Sequence, residues 1–494
     1  VGIEEVVAIG YGTQKKESLT GAISNIVSKD IQTTSSSSLA QKLSGKVVGL
    51  NIRQNNGEPG NFANSINIRG FGEPLYVIDG IARGGSADFQ RLNSEDIESI
   101  SILKDASAAI YGLNAANGVI IVTTKKGSSG KTKFTLATTS GFSTPTDIPA
   151  MANAAQYYEM RNDANINAGL APFISKEELA KWKEGGPGYE STNWADETFR
   201  KYAVRREHNL SAQGGNDKVA YYVNAGAVDE GSILRSNDLN YNKFNFRSNL
   251  TAKLTKNLTA NINITGFIDK KTEPVQGIFS IWRGTVSALP INTPYANDNP
   301  EYLRRVQDGQ SMNPVAISQI DLTGYNERAN TTLQTSIDLT YKVPFIDGLE
   351  LKGVAAYDSR FETYKNLSKN FDLYDYKVED DSYVPTSFNK PASIFNHFNN
   401  SHYLTIQAHA IYKTTIADKH NLGATVVYEQ KDQAGRYASI LKYYDFYTND
   451  QIDQAGEKNA SSSGNEWQVR SMSFLGRLNY DYMGKYLIEF AARY

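Results

Sequence analysis

The sequence predicts a mainly β protein: the wall of a transmembrane antiparallel β-barrel, preceded by a small mixed α/β domain. Three observations predict it. Apolar and polar residues alternate with period two through most of the chain after Lys131. The links between the alternating runs are short and long by turns, as an outer-membrane barrel sorts its two ends. Tyrosines stand on the apolar face, each at the strand end beside a short link.

Composition sets the bounds. A chain of 494 residues is longer than one core usually supports. Its 39 glycines and 11% aromatic residues suit β structure. A net charge of −2 provides no basic field for nucleic acid. Cysteine is absent, which excludes disulfides, thiol nucleophiles and cysteine metal sites together. No apolar run is long enough for a membrane-crossing helix. The mean hydropathy of −0.46 fits a soluble protein, and equally a membrane barrel, whose strands are half polar. The sequence opens on Val1 without a signal-peptide core, so its front is expected to be processed or trimmed.

In EEVVAIGYGTQKK, Val6, Val7, Ala8 and Ile9 predict a strand that stops at Gly10-Tyr11-Gly12, with no partner strand expected beside it in sequence. Short elements then follow up to about Gly127. SSSSLAQKLSG predicts a helix with Ser38 as N-cap, Gln41 at capping-box spacing and Gly45 as stop. KVVGLNIRQ, SINIRG and PLYVIDG predict strands, the last ending in a tight Asp79-Gly80 turn. NSEDIESI places Ser94 as a cap, with Glu95 and Asp96 where the helix dipole favours acid. ISILKDASAAIYG predicts a strand, an Asp105 cap and a helix ended by Gly112, and NGVIIVTTKKG predicts a β-branched strand.

The barrel strands are predicted at 131–143, 207–215, 219–229, 241–255, 258–269, 329–343, 348–360, 401–414, 420–431, 466–482 and 485–494. In NLTANINITGF, Leu258, Ala260, Ile262 and Ile264 share one face, and Thr259, Asn261, Asn263 and Thr265 the other. In TLQTSIDLTYKV, Leu333, Ile337, Leu339 and Tyr341 oppose Gln334, Ser336, Asp338 and Lys342. A soluble antiparallel sheet alternates in the same way, but it has no reason to sort its links by parity. Tyr221, Tyr341, Tyr412, Tyr480 and Tyr486 lie on the apolar face beside short turns, where an interfacial girdle belongs. The predicted strand count, about eleven, is odd, and the last strand is still running at Arg493-Tyr494. A membrane does not tolerate the bare edge this implies, so the sequence is expected to be the first part of a longer protein.

With this layout in view, four blocks carry a family resemblance. They are EEVVAIGYGTQKKESLTGAIS, LAQKLSGKVVGLNIRQNNGEPG, INIRGFGEPLYVIDG and LNSEDIESISILKDASAAIYGLNAANGVIIVTTKKG. Standing in family order, they resemble the plug of SusC/RagA-like TonB-dependent outer-membrane transporters of Bacteroidetes. STNWADETFR, HNLSAQGGND and YYVNAGAVDEGSI extend the resemblance more weakly into the barrel. The resemblance implies a barrel of about 22 strands with the α/β domain threaded inside as a plug. It also implies a SusD-like surface lipoprotein as lid, TonB as the source of energy, a glycan or peptide substrate and no cofactor. On this reading, residues 1–16 are TonB box and linker, 17–128 the plug, and 129–494 a partial barrel with long extracellular loops, surrounded by outer-membrane lipids.

EEVVAIG resembles the family's TonB box. Glu5, Val6, Val7, Ala8, Ile9 and Gly10 are therefore expected to pair with TonB by strand addition; the other reading is a first strand of the plug's own sheet. Arg69, in NIRGFG, aligns with an arginine of the family plug. Its guanidinium either anchors the plug to carboxylates of the barrel wall or makes a local ion pair that orders its loop. Among aromatic residues of the long loops, Trp182, Trp194, Trp282, Tyr443 and Tyr444 are candidates for ligand contact, though packing of the loops is the commoner role.

Other motifs do not lead to chemistry. GSSGKT (Gly127 to Thr132) lacks the first glycine of a phosphate-binding loop, having Lys125 there, and reads as the plug-to-barrel linker. His402 and His409 fall on opposite faces of one strand, so no metal site is expected. Carboxylates are plentiful, but nothing singles out a catalytic pair, and no GxSxG elbow occurs. The expected activity is active import of a nutrient too large for passive porins. A barrel-embedded hydrolase and a passive or adhesive outer-membrane protein are the alternatives.

Overall fold

The computed structural model describes residues 6–9, 12–15, 23–306 and 312–494. Strand β1 (Val6–Ile9) pairs antiparallel with β2 (Gly12–Lys15), Val7 opposite Gln14, in a two-stranded sheet of its own. This corrects the expectation that no partner lies next in sequence. The Gly-Thr-Gln-Lys strand is polar, so hydrophobic periodicity does not reveal it. Glu5 and Gly10 lie outside the described residues.

The mixed domain contains β3 (Ile23–Val27), β4 (Leu50–Arg53), β5 (Ser65–Ile68), β6 (Leu75–Ile78), β7 (Ile81–Ala82), β8 (Ile97–Leu103) and β9 (Val119–Thr124). Five strands form one sheet in the order β3-β8-β9-β6-β7, and β4 with β5 forms a separate pair. On one face, Ile100, Ile102, Ile120 and Val122 pack with Ile31, Leu39, Leu43 and Phe89. On the other, Val77, Leu103, Val119 and Ile121 meet Val427 and Leu475 of the barrel wall. Strand β9 is therefore buried on both faces, which explains its unbroken apolar run. The Asp79-Gly80 turn forms as expected: Ile78 pairs with Ile81, and both turn residues have positive φ, 50° and 85°.

Two caps differ from expectation. Ser38 stands at the N-cap of Leu39–Leu43 but makes no side-chain cap bond. Its hydroxyl donates instead to the distant Gln90 Oε1 at 3.2 Å, and Gln41 accepts from nearby Ser36, so other partners take both groups. The cap of the short turn Ser94–Asp96 is Asn93, whose side chain accepts from Glu95 N at 3.0 Å. The expected helix after Asp105 is a 3-10 segment, Asp105–Ala115, capped by Lys104 and broken at Gly112, whose φ is 70°.

The wall is a single eleven-stranded antiparallel sheet. Its strands are β10 (Gly130–Ser143), β11 (Ala203–Gly215), β12 (Val219–Gly231), β13 (Asn240–Lys253), β14 (Leu258–Pro274), β15 (Gly324–Lys342) and β16 (Leu349–Ser368), then, beyond a side hairpin, four more. The hairpin is β17 (Phe371–Lys377) with β18 (Ser382–Phe388). The four are β19 (Ser393–Ile416), β20 (His420–Tyr443), β21 (Gly456–Tyr482) and β22 (Tyr486–Arg493). All eleven expected strands are present, but many run further at the long-loop ends. The 24 residues of β20 span roughly 55 Å of height at about 3.3 Å per residue and 45° tilt, against an apolar band of about 25 Å. Above the band both faces are wet, so the alternation fades while the backbone ladder continues.

The apolar rows face outward. Phe244, Leu333, Ile337 and Ile488 are 64%, 44%, 43% and 66% exposed, while Thr332, Gln334 and Arg247 on the opposite face are 4%, 4% and 1%. This inverts a soluble sheet and matches a lipid-facing wall. The five girdle tyrosines share the outward face, Tyr412 opposite Leu349 and Tyr480 opposite Ile488. His409 is buried inward and His402 exposed, on opposite faces as expected.

Candidate functional site

The inward face of the wall meets the mixed domain through charge and amide groups. Arg247 of β13, almost fully buried, sits between two plug-side carboxylates, with Nη1 3.6 Å from Asp79 Oδ2 and Nε 3.5 Å from Asp96 Oδ2. Each carboxylate is held a second time. Asp79 accepts from Thr124 N at 2.9 Å and Thr124 Oγ1 at 2.8 Å. Asp96 accepts from Asn224 Nδ2 at 2.7 Å and Tyr222 OH at 3.1 Å. The turn at Asp79-Gly80 is thus what aims a carboxylate at the wall.

Two arginines reach the other way. Arg83 Nε lies 3.2 Å from Asp358 of β16, and its Nη1 donates to Gln334 Oε1 at 3.4 Å. Arg91 Nε lies 3.3 Å from Asp269 of β14, and Asp269 also accepts from Asn330 Nδ2 at 3.0 Å. Lys42 Nζ donates to Ser94 Oγ at 2.6 Å and stands 3.9 Å from Glu207 of β11. Burial pulls the Lys42 ammonium below the ordinary lysine range, and Glu207 works against that pull. Burial likewise lowers Arg83, with Asp358 opposing. Glu95 is pushed above the usual carboxylate range by burial, with Lys125, 4.0 Å away, acting against it.

The loop after β4 is fastened at its apex. Gly60 N donates to Glu230 Oε2 at 3.2 Å, Glu58 pairs with Lys271 at 3.2 Å, and Phe62 meets Tyr241 edge-on at 5.5 Å. Gly60 is required here: its φ is 65°, and a Cβ would lie 2.4 Å from the Tyr241 ring.

Arg69 is exposed, in the turn after β5, with φ of 55° and its N–H bonded to Gly49 O at 2.8 Å. The ion pairs from the mixed domain to wall carboxylates described above come from Arg83, Arg91 and Lys42. Sequence reasoning missed these and the wall groups Arg247, Asp269 and Asp358. The available signal was a charged residue at an inward position of an alternating strand, such as Arg247 in FNFRSNL.

Two of the candidate ligand aromatics are buried. Trp194 is 3% exposed and donates to Leu289 O at 3.0 Å, while Tyr444 is 2% exposed within its own loop cluster. Both pack loops, because a wide ring is the cheapest filler for a long connection. Trp182 packs between Tyr158 and Tyr189 at 5.0 and 5.2 Å, and Trp282 lies 5.7 Å from Phe199. Tyr443 is half-buried at the end of β20. Gly127 to Thr132 joins β9 to β10, with Gly127 against the Tyr221 backbone. Among the described residues no group of three His, Asp or Glu could hold a metal ion.

A lipid-facing antiparallel wall whose polar inner face grips a small folded domain defines a plugged outer-membrane β-barrel protein. Residues 15–119 match the TonB-dependent Receptor Plug Domain family. TonB-dependent receptor P39 of Formosa agariphila is 28% identical over 506 residues, covering 99% of this chain and 45% of the relative. TonB-dependent receptor SusC of Bacteroides thetaiotaomicron is 28% identical over 389 residues, 71% of this chain and 36% of the relative. The RagAB peptide importer in its open-open state has the same fold, with a TM-score of 0.80 at 20% identity over 99% of this chain and 56% of that one. The chain is thus similar in sequence and fold to SusC/RagA-like TonB-dependent transporters of the bacterial outer membrane, with the plug-domain match over residues 15–119. It spans less than half the length of the curated relatives it matches.

Proposed function

We propose that this chain serves TonB-dependent active import of a large nutrient, an oligosaccharide or oligopeptide, across the outer membrane. A SusD-like surface lipoprotein captures the ligand, TonB pulls on the N-terminal segment, and the plug rearranges to let the ligand pass. One observation carries the reading: the plug is held in the wall largely by ion pairs and side-chain amide hydrogen bonds that water can replace, so a pull can loosen it with only small apolar patches to expose. Among the described residues strand β1 is paired on one side only, by β2, which suits the addition of a second partner strand by TonB at Glu5 to Gly10. No covalent chemistry on the ligand is involved. The relatives are named as receptors and transporters.

Uptake that collapses when the proton gradient is dissipated supports import. Uptake or hydrolysis indifferent to the gradient supports the passive or enzymatic alternatives. Val7→Pro removes a main-chain donor from β1; uptake is expected to fall to background at unchanged surface level. Unaltered uptake would sink the TonB-box assignment.

A further inference from the structure

Between the plug and the long-loop ends of β10, β11 and β12 lies a cavity of about 780 Å³, within the size range of ligand sites. The plug contributes Ser35, Ser36, Ser37, Gln41 and the loop from Gln54 to Asn61, and the wall contributes Arg205 and Glu230 with the segment after β10. We propose that this cavity takes an uncharged, polyhydroxylated ligand, a neutral oligosaccharide, and discriminates against anionic ones. The proposal rests on the import reading above and narrows its substrate.

Charge carries the first half. Among the described residues, the charged groups lining the cavity are Glu58, Asp147, Arg205 and Glu230. The single cation is already engaged: Arg205 lies 2.8 Å from Glu230 and 2.7 Å from Glu207, and donates to Ser35 Oγ at 2.7 Å. A sulfate, a uronate or a peptide C-terminus is held most strongly by a guanidinium or ammonium that replaces its hydration. Here it meets an exposed carboxylate at Asp147 and a cation already paired with two carboxylates.

Hydrogen-bonding type carries the second half. The remaining polar lining is hydroxyl and carboxamide, and each such group both donates and accepts, as a sugar hydroxyl does. Among the described residues, the Ser37 hydroxyl, the Gln41 amide nitrogen and the Gln54 carbonyl oxygen have no protein partner. All three belong to the plug. A ligand bonding to them touches the element that must move, and it lies beside Glu58 and Gly60, which fasten the loop to Lys271 and Glu230.

The test uses the full-length protein purified with its surface lipoprotein. Calorimetry compares three probes: a mixture of neutral oligosaccharides of several linkages, the same mixture chemically sulfated, and a tryptic digest of casein. The neutral mixture is expected to bind, and the sulfated one at least about tenfold more weakly, the scale of one unfavourable charge contact near a surface. Gln54→Lys combined with Asp147→Lys, both at exposed positions, is expected to erase most of that difference. Tighter binding of the sulfated or peptide probe, failure of the neutral mixture to bind, or an unchanged ratio in the double variant overturns the proposal. Gradient-dependent uptake of a sulfated or peptide probe overturns it while leaving import intact. Uptake of every probe without gradient dependence overturns the import reading instead.

Discussion

Replacing Arg247 tests whether the ionic lattice holds the plug. One wall cation serves two plug carboxylates, at 3.6 Å and 3.5 Å, with almost no exposure to water. Removing one partner of a buried pair costs about 3–5 kcal/mol. Asp79 and Asp96 each retain two hydrogen bonds, so the lower end applies. Arg247→Met should therefore cost about 3 kcal/mol of plug docking, roughly a hundredfold in the docked-to-loosened ratio. The assay is the conductance of the full-length protein in planar bilayers as urea is raised. With a urea sensitivity of about 1–3 kcal/mol per molar, the opening midpoint should fall by about 1–3 M. Arg247→Met with Asp79→Asn should cost less than the two single changes added, because the second removes a carboxylate that the first strands. An unmoved midpoint, or strict additivity, refutes the reasoning.

Other consequences are separable. Ile337 lies roughly 9 Å above the girdle residue Tyr341, four residues on at about 3.3 Å each and 45° tilt. Ile337→Arg should therefore cost about 2–4 kcal/mol in refolding into bilayers, while Ser336→Thr on the inner face should be nearly silent. In the loop after β20, Asp450 is held below the usual carboxylate range by hydrogen bonds from Lys365, at 2.8 Å, and from Tyr325. Its contribution is present above the ordinary Asp pKa and is lost as pH falls through the depressed value. Protease cutting within 445–455 should thus rise only below about pH 4, and a rise already at pH 6 counts against the latch. Asn25 and Ser101 face each other across β3 and β8. With no cysteine in these 494 residues, Asn25→Cys with Ser101→Cys gives a lock once any cysteine elsewhere in the full-length protein is replaced. Oxidation should stop uptake and reductant restore it, whereas uptake indifferent to oxidation means that β3 does not peel.

The wall was legible in the sequence because lipid writes a one-sided pattern: Leu333, Ile337 and Leu339 had to be apolar, and their neighbours did not. Where lipid ends the writing ends, so the upper halves of β19, β20 and β21 were read as loops. Strand β2 was hidden for a related reason, since Gly-Thr-Gln-Lys carries no apolar alternation to reveal it. The caps at Ser38 and Ser94 failed because a serine hydroxyl has several partners within reach in a folded domain, Gln90 for Ser38 and the Lys42 ammonium for Ser94, and local spacing cannot rank them. The ionic lattice was hidden more deeply. Asp79 could be placed in a turn from its neighbours, but nothing local reveals that Arg247 waits opposite, more than 160 residues later.

The arrangement explains how a stopper can be both tight and removable. Apolar contact between plug and wall comes in small separate patches: Val77, Val119 and Ile121 meet Val427 and Leu475, Ile81 meets Val354 and Ala356, and Phe62 meets Tyr241. Elsewhere the interface consists of ion pairs and amides, whose formation gains little over solvation by water. Such contacts fix the plug in one pose because each is directional, yet each can be exchanged for water singly. A pull arriving along the chain before Ile23 reaches β3 first. That strand is at the sheet's edge and, among the described residues, pairs with β8 alone. The load therefore falls on five residue pairs before it reaches the central pairing of β8 with β9. A modest force can peel the edge and admit water to the ionic lattice, while the doubly buried β9 keeps the rest of the plug folded and ready to return.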